Sequence, residues 1–188
     1  MKNMTIWNIA RACKGHLAVP AGKHTGTCPA AGMAVIRGYS GKEAAGIVID
    51  SRKVEPGDIF VAIRGERVDG HQFIREVFNK GAIAVVCEEE PEELPGPCIR
   101  VEDSLAALRQ IAAFYREQMP IPIVGITGSV GKTSTKEFVA SVLAQKYKTH
   151  KTQGNFNNEI GVPLTLLAMP EDTEAGQIQG FLEHYTGN

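Results

Sequence analysis

Apolar residues recur along this chain at two periods in turn, one helical and one strand-like, and the alternation predicts α/β architecture. Behind Thr5, a capping residue, Ile6, Ile9, Ala10 and Cys13 repeat at helical spacing, with Gly15 as the stop. Residues 16–32, rich in Gly, Ala and Pro, read as loop. Short strands are expected at 33–37 and 46–50. A turn at Pro56-Gly57-Asp58 leads into Ile59 to Ile63, a β-branched run that reads as a buried strand. Phe73, Ile74, Val77 and Phe78 form one helical face ended by Gly81, and Ala82 to Cys87 is a further strand. Residues 98–101 form another, before a helix that Ser104 is expected to cap. That helix carries Leu105, Leu108, Ile111, Ala112 and Tyr115 on one side and ends at Met119-Pro120.

A new strand-loop-helix unit opens beyond Gln118. The expected division is therefore a domain at 1–118 and the start of a second at 119–188. Ile121 to Ile126 is an apolar strand, and it runs into Thr127-Gly128-Ser129-Val130-Gly131-Lys132-Thr133-Ser134. A helix follows, with Phe138, Val139, Val142 and Leu143 expected to face inward. A glycine-rich turn between a strand and a helix N-terminus lets backbone N–H groups converge on phosphate oxygens, and the helix dipole favours negative charge there. In that arrangement Lys132 reaches the terminal phosphates and the Thr133 hydroxyl serves Mg²⁺.

The longer G-x-x-x-x-G-K-[ST] pattern requires glycine at 126, where Ile126 stands, so ordinary GTPases and many ATPases are disfavoured. No N-K-x-D guanine reader is present either: Asn79-Lys80 is followed by Gly81-Ala82, which favours adenine. After Lys132 the apolar pattern shows no further strand ending in an acid for Mg²⁺, which argues against a small kinase. Gly46 to Asp50 ends in an acid but precedes the loop.

Composition narrows the classes further. The formal net charge is -1, which argues against nucleic-acid or membrane-surface binding driven by bulk charge. No apolar run is long enough to cross a membrane. Cys13, Cys28, Cys87 and Cys98 form no C-x-x-C pair and read as buried free thiols in a reducing, cytoplasmic setting. The acidic, proline-broken segment 88–97 reads as a solvated loop. His16, His24, His150 and His184 have no partners at a recognisable ligand spacing and read as solvated.

The shortened loop GITGSVGKTSTKEF (125–138), followed by KTQGNFNNEIGVPLTLL (151–167), resembles the ATP-dependent Mur ligases of peptidoglycan synthesis. Upstream, IDSRKVEPGDIFVAIRGERVDGHQFI (49–74) and GAIAVV (81–86) resemble the uridine-nucleotide-binding N-terminal domain found in that family. The folate-type ligases share the shortened loop but not this upstream stretch. The resemblance implies a small N-terminal uridine-nucleotide-binding α/β domain followed by a truncated phosphate-loop, parallel-sheet ATPase domain. It also implies amide-bond formation through an acyl phosphate, with D-alanyl-D-alanine added to UDP-N-acetylmuramoyl tripeptide, and ATP and Mg²⁺ as cofactors.

By the same resemblance, Gly128, Ser129, Val130, Gly131, Lys132, Thr133 and Ser134 wrap the ATP phosphates. Lys132 and Glu159 are the catalytic candidates, Thr133 and Glu159 hold Mg²⁺, and Asn155 and Asn158 lie near the γ-phosphate or the substrate. Helix capping is the competing role for the two asparagines. Ile49, Ser51, Arg52, Glu66, Arg67 and Val68 are the substrate-binding candidates for the uridine diphosphate. Against this, Asp50 and Arg52 can form a structural ion pair, and Asp69-Gly70-His71 can be a turn and helix cap. The chain reads as a monomeric N-terminal fragment, inactive alone. The alternative is a non-catalytic module that binds the UDP-muramoyl peptide.

Overall fold

The computed structural model describes residues 1–20, 38–39, 41–65, 68–128, 130–154, 156 and 158–180. The strand expected at 33–37, Cys28, His24 and His184 lie outside them. The chain divides into two compact units, Met1–Ala107 and Leu108–Asn188, each an assembly of mainly parallel strands and helices.

In the first unit, helix α1 (Ile6–Ala12) is capped by Thr5, whose side chain accepts from the Asn8 N–H. Five strands form one sheet: β1 (His16–Ala18), β2 (Ile47–Val48), β3 (Ile59–Val61), β4 (Ala84–Cys87) and β5 (Cys98–Arg100), in the order β1-β5-β4-β3-β2. β2 to β5 run parallel, and β1 pairs antiparallel with β5. Part of the segment read as loop at 16–32 is thus strand β1, too short to show an alternating pattern. Helix α2 (Ile74–Asn79) follows a 3-10 turn at Gly70–Phe73. Phe60, Ala62, Val85, Cys87 and Cys98 pack with Ile74, Val77, Val54 and Ala82 in one cluster.

Cys13, Cys87 and Cys98 are free and buried. Burial pushes the Cys13 thiol up to about 11. The hydrogen bond with Cys87, then burial, pushes Cys98 up as well. These two thiols stay protonated and unreactive at neutral pH.

Helix α3 (Ser104–Glu117) starts differently from expectation. Asp103 is the capping side chain, accepting from the Leu105 and Ala106 N–H groups at 2.7 and 2.9 Å. The Ser104 hydroxyl is buried with no hydrogen-bond partner among the described residues. An aspartate one residue earlier reaches both N–H groups, and Ser104 turns inward in line with Ala107, Leu108 and Ile111.

The second unit holds β6 (Ile123–Ile126), α4 (Lys132–Leu143), β7 (Thr149–Lys151), α5 (Gly161–Leu167) and β8 (Ala175–Gln179). The strands are parallel in the order β6-β8-β7, so β8 is central. Right-handed crossovers that step two strands out and one strand back put α4 and α5 on opposite faces. Side chains agree: Lys151 pairs with Glu137 of α4, while His150, its neighbour on β7, bonds Thr165 of α5.

β7 and β8 both follow the phosphate loop and end in Lys151 and Gln179, so neither closes on an acid. One expectation is corrected here. On α4, Phe138 and Val142 are exposed, and Lys136 and Ala140 are the buried residues. The loop geometry sets the helical phase, and a three-stranded sheet covers only a narrow stripe.

His150 is not solvated. Its Nε2 lies 3.0 Å from the Thr165 carbonyl, and burial lowers its pKa from the ordinary imidazole value. As pH falls below about 6.5, the unfolded chain takes up a proton before the folded one does. The stability contributed by neutral His150 is therefore full above that pH and is lost on acidification. Hydrogen exchange of β7 and β8 amides is expected to quicken between pH 7 and 5.5, and His150→Gln is expected to flatten that dependence.

Candidate nucleotide sites

In the first unit, the parallel run of β2, β3 and β4 brings their carboxyl ends to one edge, where ligands of open α/β sheets bind. Ile49 and Ser51 follow β2; Ile49 is half-buried and Ser51 is buried. The Ser51 carbonyl accepts from Lys80 Nζ at 2.9 Å, which fixes this turn. Arg52 is exposed and pairs with Asp50 at 2.8 Å, holding that carboxyl down at about 2. The ion-pair role foreseen for Asp50 and Arg52 is thus present.

After β3, an Arg64–Asp69 bridge and a Gly65 N–H bond to the Val68 carbonyl close a tight loop. Val68 is exposed at its base; Glu66 and Arg67 lie outside the described residues. Asp69 caps the 3-10 turn, accepting from the His71 N–H at 2.9 Å and from His71 Nδ1 at 2.6 Å. His71 Nε2 accepts from the Glu88 N–H at 2.9 Å. That fixes a neutral imidazole with its proton on Nδ1. Asp69 and His71 thus do the turn-and-cap work, and they tie the β3 loop to the end of β4.

Glu88 is turned inward and accepts from the Ser104 N–H, while Glu89 pairs with Arg64. The acidic segment is therefore only partly solvated.

In the second unit, β6 enters the glycine-rich loop. Gly128 has φ +136° and Gly131 φ +80°, conformations that favour glycine, and among the described residues no atom beyond the chain neighbours lies within 4 Å of a Cβ built on either. Gly131 is the N-cap of α4, and it supplies no side-chain cap to the helix start. The positive end of a 12-residue helix is left for an anion. Lys132 Nζ donates to the Gly128 carbonyl, arching across the loop. Thr133, Ser134 and Val130 are exposed beside it; Ser129 lies outside the described residues.

The segment carrying the asparagines is tied down on both sides. Thr152 donates through its N–H to the Gln177 carbonyl, and its hydroxyl accepts from the Gln179 N–H. Lys136 Nζ, almost wholly buried, donates to the Gly154 carbonyl at 3.1 Å. Sequence reasoning passed over both residues, although Lys136 lies one turn beyond Lys132 on the same stripe of α4. Asn158 Oδ1 accepts from the Gly161 N–H at 2.7 Å, so helix capping is a role it performs. Glu159 is exposed, 3.6 Å from Arg109. Asn155 lies outside the described residues.

Gly161 begins α5 where a Cβ would stand 2.5 Å from the Phe156 backbone. Gly161→Ala must therefore move the 154–160 segment, at a cost of about 1–3 kcal/mol. Urea unfolding of this variant is expected to show that loss.

These features define a phosphate-loop α/β protein with a separate parallel-sheet unit before the loop. The Mur ligase family catalytic domain matches residues 43–116, and the Mur ligase middle domain matches residues 126–178. The chain belongs to the Mur ligase family.

It is 40% identical over 184 residues to the UDP-N-acetylmuramoyl-tripeptide--D-alanyl-D-alanine ligase of Bacillus subtilis, covering 95% of this chain and 36% of that protein. The crystal structure of MurF from Acinetobacter baumannii matches it at a TM-score of 0.76 and 30% identity, over 94% of this chain and 36% of that one. A MurF ligase from Thermotoga maritima in complex with ADP matches at a TM-score of 0.65 and 37% identity, over 71% of this chain and 31% of that one. The chain thus spans about a third of the length of these relatives. No helix among the described residues is long and apolar enough to cross a membrane.

Proposed function

We propose that this chain is the uridine-nucleotide-binding and phosphate-loop portion of a ligase that adds D-alanyl-D-alanine to UDP-N-acetylmuramoyl tripeptide at the expense of ATP. The observation that carries the reading is the open glycine loop at the uncapped N-terminus of α4, with Lys132 across it and the 152–161 segment tied alongside. The likeness to the MurF ligase solved with ADP supports the choice of nucleotide.

In this reading the loop N–H groups of residues 128–134 hold the phosphates and Lys132 neutralises their charge. Thr133 and Glu159 would hold Mg²⁺, which when bound offsets the negative charge of the phosphate oxygens. An exposed Glu159 can exchange Arg109 for a cation, since a surface ion pair is weakly held. Asn158 keeps its side-chain oxygen on the helix start and orients the segment. The ligase then activates the tripeptide carboxylate as an acyl phosphate, which the dipeptide amine attacks. The chain's task is positioning and charge stabilisation.

The uridine diphosphate lies along the carboxyl ends of β2 and β3, against Ile49, Ser51, Arg52 and the loop 65–69 that carries Glu66, Arg67 and Val68. The buried free thiols support a reducing, cytoplasmic compartment. Hydrogen exchange with each ligand in turn tests the assignment. UDP-N-acetylmuramoyl tripeptide is expected to protect 47–52 and 62–71, and MgATP to protect 124–136. Protection by neither ligand overturns it. Protection by the uridine ligand alone favours a non-catalytic binding module.

A further inference from the structure

β8 is the central strand of its sheet and all five of its residues are buried, yet two of them are glutamines. Both amide atoms of Gln177 and Oε1 of Gln179 are buried with no hydrogen-bond partner among the described residues. A buried amide left unpaired is costly, and a native fold that keeps one needs a reason for it.

The register shows where these side chains point. Lys151 pairs with Gln177 across β7 and β8, and its ammonium meets Glu137 of α4. His150, one residue earlier, meets α5. Neighbours in register share a face, so Gln177 and Gln179 lie on the α4 side of the sheet. Gln179 is also the register partner of Ile126, the last residue of β6 before the phosphate loop. It closes β8 on the phosphate-loop side, one strand from the loop entrance. In phosphate-loop enzymes an acid on a neighbouring strand helps the loop Ser/Thr hold Mg²⁺. Here an amide stands in that place.

We propose that Gln179 is a further residue of the nucleotide site, its side-chain oxygen accepting from a Mg²⁺-bound water of MgATP, so that a neutral oxygen serves where an acid is usual. Amide oxygens suit this hard, hydrated cation. The inference rests on the reading of the loop as an MgATP site.

Calorimetric titration with ATP, in Mg²⁺ and separately in EDTA, tests it on the wild-type chain, Gln179→Met and Gln179→Glu. Gln179→Met keeps the length of the side chain and removes the acceptor. It is expected to weaken binding about five- to tenfold in Mg²⁺, the range of one lost hydrogen bond, and to leave binding in EDTA within about twofold. Gln179→Glu is expected to raise the ratio of affinities in Mg²⁺ and EDTA by about tenfold. Unchanged MgATP binding by Gln179→Met, or an equal loss in both buffers, overturns the proposal. If Gln179→Met fails to fold, Gln179→Glu decides: an unchanged Mg²⁺/EDTA ratio overturns it. A wild-type chain that binds ATP in neither buffer rejects the loop reading itself, and this inference with it.

Discussion

Lys132→Ala is expected to cost MgATP binding about 2–3 kcal/mol, on the order of a hundredfold in affinity, while leaving the fold intact. The lysine sits in the first turn of α4 and its ammonium reaches only the Gly128 carbonyl within the described residues. The bond is solvent-exposed, so water replaces it cheaply in the free protein. Bound triphosphate is different: it brings negative charge to a loop whose other donors are backbone N–H groups, and Lys132 supplies the full positive charge there. Calorimetry reads the affinity and thermal unfolding checks the fold. A loss under threefold would remove Lys132 from the site.

The second large effect belongs to the first unit. Phe60→Ala is expected to destabilise it by about 3–5 kcal/mol. Phe60 is completely buried on β3, between Val48 on one neighbouring strand and Val85 on the other, against Ile74 and Val77 of α2. Both flanking strands are hydrogen-bonded in register, so the cavity cannot collapse by shifting one strand alone. Set against a whole-domain stability of about 5–15 kcal/mol, the loss is enough to unfold a marginal unit. It also loosens the strand end from which the loop 65–69 departs, so uridine-ligand binding should fall with stability. Urea unfolding measures the first effect. A cost below about 1.5 kcal/mol would contradict this account of the core.

The contrast between β3 and β8 shows what the sequence made legible. Ile59-Phe60-Val61 and Ala84 to Cys87 are apolar throughout because parallel strands are covered on both faces, and such runs announce themselves. β8 is equally buried, but its run Ala-Gly-Gln-Ile-Gln has no apolar continuity, so hydropathy passed over the central strand of its sheet. Polar β7 was missed likewise, and β1 is only three residues long.

On α4, Phe138 and Val142 looked like a core face because apolar residues usually are. The stripe that meets the sheet instead begins with Lys132 and continues through Lys136 and Ala140. The phosphate loop was legible because its chemistry demands particular residues at fixed spacing: small residues at Gly128 and Gly131, a cation at 132, a hydroxyl at 133. The residues that position it were not. Lys136, Thr152, Lys80 and His71 act through bonds to backbone atoms distant in sequence, and no local pattern marks such bonds.

The most direct test of the central claim is calorimetric titration of this chain with UDP-N-acetylmuramoyl tripeptide and with MgATP, each alone and then in sequence. Saturable binding of both, one equivalent each, with MgATP binding weakened on the order of a hundredfold by Lys132→Ala and the uridine ligand unaffected, is the predicted result. A folded chain that binds neither ligand would contradict it.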